Sequence, residues 1–258
     1  MPQRPLVLCL TLLIASLPAH AGRLLDLEIV DRNTGNTLDV HRHRGQDWIA
    51  GSPGERYAVR LVNRTGQRVL VVLSVDGVNA VSGETAAPDQ SGYVLAPWER
   101  AEIAGWRKSL EEIAQFYFTA LPDAYAARTG RPHHVGVIGA AVFREKTRLR
   151  PVAPYPGQPA PGGNEQRSAA AADARDAPAA MAQARREAER LGTGHGEREY
   201  APIRYTVFER SSASPAEVLS LRYDSHENLV LRGVLVRPHP DRSEPRPFPG
   251  LFVPDPGG

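Results

Sequence analysis

The sequence predicts a mainly β protein: a β-sandwich, immunoglobulin-like or jelly-roll-like, then a Pro/Ala-rich linker, one short helix and a small C-terminal β-hairpin unit. Three observations carry this. Short apolar runs recur between residues 24 and 143, separated by turn residues at the spacing of a sandwich or barrel. Asp76-Gly77 sits between two apolar runs, and an Asp-Gly pair accepts the positive φ angles of a tight hairpin turn. At residue 150 the composition changes abruptly, with five prolines in residues 151–161.

Within the predicted sandwich (22–149), Leu25, Leu27 and Ile29 alternate with Asp26 and Glu28, as on a half-buried strand. Asn33 to Asn36 turn the chain. Tyr57, Val59 and Leu61 alternate again, and residues 68–75 form a strongly apolar strand ahead of the Asp76-Gly77 turn. Residues 93–95, 101–106, 116–118 and 134–143 continue the pattern. Gly136 and Gly139 in the last run point to a bulge or a close backbone approach. Residues 150–177 read as an extended linker. A helix is expected over 178–192, started by Pro178 and stopped by Gly192. The C-terminal β unit (193–237) opens on a glycine-rich loop, Thr193 to Gly196, followed by a strand at 205–208. Leu219, Leu221 and Tyr223 alternate, residues 224–228 turn, and the apolar run 229–236 completes a second hairpin, a candidate to complete the main sheet at its edge. Ser214-Pro215-Ala216-Glu217 competes as a helix-capping box. Seven prolines after residue 237 leave 238–258 as a disordered tail.

The first 21 residues give an address. Arg4 precedes an apolar run at 6–17, Pro18 breaks it, and Ala19-His20-Ala21 supplies small residues at a cleavage site. That run is shorter than the ~20 residues a membrane span needs. The expectation is an exported protein, periplasmic or secreted, with no membrane-spanning segment after cleavage. Cys9, the only cysteine, leaves with the leader, so the mature chain is disulfide-free and thiol catalysis is excluded. Basic and acidic side chains are balanced, 31 against 29, which speaks against a nucleic-acid partner.

Residues 56–109 (RYAVRLVNRTGQRVLVVLSVDGVNAVSGETAAPDQSGYVLAPWERAEIAGWRKS), 123–145 (DAYAARTGRPHHVGVIGAAVFRE) and 191–210 (LGTGHGEREYAPIRYTVFER) resemble a group of exported, signal-peptide-bearing bacterial proteins with β-rich bodies and no assigned function. The resemblance implies one exported module built on a β-rich body. It carries over no catalytic residue.

Three constellations are candidates for chemistry. Asp39, His41 and His43 share one face of a strand, and two imidazoles with a carboxylate suit a transition metal. With Asp47 the spacing is similar to the first metal motif of cupins, although cupins use glutamate at that last position and their second motif has no counterpart here. The alternative is a solvated strand edge. His195 lies between glycines with Glu197 and Glu199 nearby, either a ligand-facing base or part of a flexible connector. Trp98, Trp106, Arg107 and Tyr117, with Lys108, Phe116, Tyr93 and Tyr125, form either a stacking floor for a sugar or peptide or a set of core aromatics. No Gly-x-Ser-x-Gly motif presents a nucleophile. The reading favoured is an exported, non-enzymatic binding or interaction module with no cofactor, whose partner is a protein, small molecule or glycan of the cell envelope. The rivals are a metal-dependent cupin-like β-barrel enzyme using His41 and His43, and an envelope-associated structural protein.

Overall fold

Alternating side chains become strands here in a computed structural model that describes residues 24–147 and 190–236. In chain order these are β1 (Leu25–Asp31), β2 (His41–His43), β3 (Gln46–Gly51), β4 (Tyr57–Asn63), β5 (Val69–Val75), β6 (Val78–Asn79), β7 (Tyr93–Leu95), β8 (Arg100–Ile103), β9 (Gly105–Arg107) and β10 (Glu112–Ala120). A short helix α1 (Tyr125–Arg128) leads to β11 (Val137–Arg144), and β12 (Leu191–Tyr200), β13 (Glu217–Ser225) and α2 (His226–Leu231) follow. The expected leader, linker and tail, and the expected helix up to residue 189, lie outside the described residues.

The fold is mainly β and consistent with a sandwich; the sheets are open rather than closed into a barrel, so the cupin-like barrel does not form. One sheet has seven strands, in the order β2-β3-β13-β11-β5-β6 with β7 also on β5. Two three-stranded sheets, β1-β4-β8 and β12-β10-β9, are stitched at Arg56↔Tyr117. All three sheets feed one apolar core, with Leu27 and Ile29 from β1, Leu73 and Val75 from β5, Phe116 and Phe118 from β10, and Leu221 from β13. A second small cluster, Leu70, Val72 and Phe143, lies on the other face of the seven-stranded sheet, with Phe208 packed on it.

The Asp76-Gly77 turn forms as expected, with φ of 54° and 70° joining β5 to β6. The stretch after residue 190 corrects four expectations. Residues 191–196 are neither helix end nor loop but the start of β12, paired with β10. Gly192, Gly194 and Gly196 fall on alternate positions because neighbours press on that side: a Cβ on Gly194 would lie 2.2 Å from the Tyr117 ring. Residues 205–208 make no strand. The run 229–236 is not the second arm of a hairpin. Its first part is α2, started by the Ser225 hydroxyl, which accepts from the Asn228 amide at 3.2 Å. The partners of β13 are instead β3, in parallel, and β11, antiparallel, which sets it inside the seven-stranded sheet. The rival capping box fails too, since Glu217 opens that strand.

Candidate functional site

The most buried polar cluster grows from the Asp76 turn. Asp76 is fully buried. One carboxylate oxygen accepts from the Gly136 amide (2.9 Å) and the Tyr223 hydroxyl (2.6 Å), and the other from the Thr193 amide (2.9 Å). The Thr193 hydroxyl lies 2.7 Å from the Tyr223 oxygen and 2.6 Å from the Tyr57 oxygen. Each hydroxyl has one proton, and Tyr223 gives its own to Asp76. The chain therefore runs one way, from Tyr57 to Thr193 to Tyr223 to Asp76. It joins β4, β12, β13 and the β5–β6 turn, and so ties all three sheets together. Burial pushes the Asp76 carboxyl up to about 6, against the pull of those hydrogen bonds. Burial also holds both tyrosines well above the usual phenol range, so they remain donors. With no opening to solvent this cluster is a clasp, not a binding site.

Two sequence candidates meet beside it. The His195 ring stacks at 6.2 Å on Trp106 and lies 5.3 Å from Tyr125. His195 is exposed at the surface, and its partial desolvation, then the charge of Lys108, lowers its pKa, so the neutral imidazole predominates at pH 7. Trp106 itself belongs to the core at 2% exposure, edge-on to Phe116 at 4.7 Å. Tyr117 lies on the opposite face of the strand pair, across Gly194. Trp98 stands apart from this group, exposed on the corner between β7 and β8 with a φ of 62°.

The proposed metal set is not brought together. Arg42 pairs across from Asp47, and its guanidinium nitrogen is 4.0 Å from that carboxylate. Asp47 therefore shares the face of Arg42, opposite to the one that His41 and His43 share with Trp48 and Gln46. Asp39 lies in the exposed approach to β2. Among the described residues no group of three or more His, Cys, Asp or Glu side chains is placed to hold a metal ion.

What no motif announced is a cleft of about 520 Å³ at the edge of the sandwich. Its apolar lining includes Leu70, Val81 and Ala101, one wall is β7, and the other is the irregular segment 203–208, here termed the strap. The strap is fixed at both ends. Arg107 donates to the Ala201 carbonyl and approaches the Tyr93 hydroxyl at 3.5 Å, and the Ile203 amide donates to Leu110 (2.8 Å). At the other end Phe208 packs on the outer cluster, and Arg210 donates to the Pro88 and Gln90 carbonyls while covering the Phe143 ring at 4.1 Å. Arg107, a ligand-contact candidate from sequence, is here an anchor of the strap, and Tyr93, an aromatic of the same set, is part of the cleft wall. A second cleft of about 550 Å³, at Arg68, Glu145, Lys146 and Glu209, is lined by charges already joined in ion pairs. No family model, curated protein or solved structure matches the chain.

Proposed function

We propose that this chain is an exported binding module, non-enzymatic, whose ligand seat is the cleft between β7 and the strap. The cleft itself carries the reading: a concave, largely apolar floor bordered by the polar groups of Tyr93, Arg204 and Arg210 is the usual form of a binding site. Burial raises the Tyr93 phenol above its ordinary value, against the pull of Arg107, so it stays a donor beside the cleft. Export is supported by the leader-like pattern of residues 1–21.

The probe is 1-anilinonaphthalene-8-sulfonate, a small amphiphile, titrated into the ¹⁵N-labelled protein. Shifts are expected to concentrate at Tyr93–Leu95 and at residues 203–208. Shifts gathered around His195 or Trp98 instead, or none at all, would overturn the assignment of the cleft as the seat.

A further inference from the structure

We propose that the cleft takes an extended polypeptide segment of a partner protein, apolar at alternate positions, as an added strand between β7 and the strap. This rests on the cleft being the ligand seat and specifies what fills it.

Three observations carry it. First, β7 pairs only with β5 among the described residues, so its other edge faces the cleft without a strand. On an antiparallel edge strand every second residue turns its N–H and C=O away from the partner. Second, the facing wall is also backbone without partners. Arg204, Tyr205 and Thr206 make no backbone hydrogen bond with any described residue, although Tyr-Thr-Val-Phe is strongly strand-forming. Both walls of the cleft therefore offer main-chain donors and acceptors, and an inserted strand can use them from both sides.

Third, the edges differ in how they are guarded. Edge strands commonly carry charges that discourage pairing. Here β2 reads His-Arg-His, β8 carries Arg100 and Glu102, and the outer stretch of β12 carries Glu197, Arg198 and Glu199. The two-residue β6 is covered by its bridge to Thr85. By contrast β7 reads Tyr93-Val94-Leu95, uncharged, and opens onto an apolar floor. Strand addition uses those features: main-chain bonds give affinity, and pockets for alternate side chains give selectivity. A small amphiphile would use the floor and leave the walls unsatisfied.

The test is a pool of heptapeptides with Val, Ile, Leu or Phe at three alternate positions and Thr, Ser or Lys between. A matched pool bears N-methyl groups on alternate residues, which removes donors and keeps side chains. The unmethylated pool should shift the Val94 and 204–206 amides and slow their hydrogen exchange at least tenfold. It should also displace anilinonaphthalene sulfonate, and methylation should weaken binding at least tenfold. Equal binding of both pools would overturn strand addition and leave a side-chain pocket. If the dye binds at the cleft and neither pool does, the strand proposal fails while the cleft remains the seat. If neither dye nor peptides bind there, both readings fail.

Discussion

Asp76→Ala is expected to destabilise the protein by about 3–5 kcal/mol in urea unfolding. Three buried donors, the amides of Gly136 and Thr193 and the Tyr223 hydroxyl, lose their acceptor at once. The hydroxyl chain behind Tyr223 loses its terminus, and alanine must adopt a φ of 54°. Asp76→Asn keeps one oxygen and tolerates that φ, so it should cost less, but its amide nitrogen meets the Thr193 N–H, donor against donor. The pH dependence separates these effects. Folding raises this carboxyl from 3.8 to about 6, so between those values the folded state holds a proton that the unfolded state has lost. The resulting stabilisation is complete below pH 3.8 and is lost as pH rises through 6. It amounts to on the order of 3 kcal/mol. The stability difference between parent and Asp76→Asn should therefore shrink between pH 4 and pH 6 and level off above. A difference that is flat across that range would show that Asp76 is not the group responsible.

The reach of the sequence into this fold follows from how local each signal is. The Asp76-Gly77 hairpin and the alternation in β1, β4 and β13 are properties of neighbouring residues, and those elements form. Strand partnership is not local. Nothing within residues 217–225 says that they enter between β3 and β11, more than seventy residues away from either. The β12 strand has a readable cue. Leu-Gly-Thr-Gly-His-Gly alternates glycine with side chains at period two, the strand period, although Gly192 also fits a helix stop and Gly194 and Gly196 also fit a loop. At 205–208 the strand propensity is strong but tertiary context prevails, since no described strand hydrogen-bonds to those residues. The run 229–236 was ambiguous because a short apolar stretch fits helix or strand equally, and the Ser225 cap decided it. The cleft had no local signature at all. It exists because β7 and the strap, distant in sequence, border the same edge.

Trp106 distinguishes the two readings of the aromatic set, stacking floor or core. At 2% exposure and edge-on to Phe116, it is core, and Trp106→Ala should cost about 3–5 kcal/mol by urea denaturation. Its indole N–H is buried without an acceptor among the described residues, which costs part of what the ring's packing contributes. Trp106→Phe removes that N–H while keeping a ring against Phe116 and Tyr125. It should therefore lose clearly less than the alanine variant. A ligand-stacking residue would behave in the opposite manner: its removal would spare stability and abolish binding. His195 offers an independent readout, because Trp106 is one of the two rings stacked or tilted against its exposed imidazole. Burial is the largest cause of its lowered pKa, so truncation to alanine should raise that pKa toward the ordinary histidine range, measured by NMR titration. Stability within about 0.5 kcal/mol of the parent, together with an unmoved His195 titration, would place Trp106 outside the core and restore the stacking floor as the better reading.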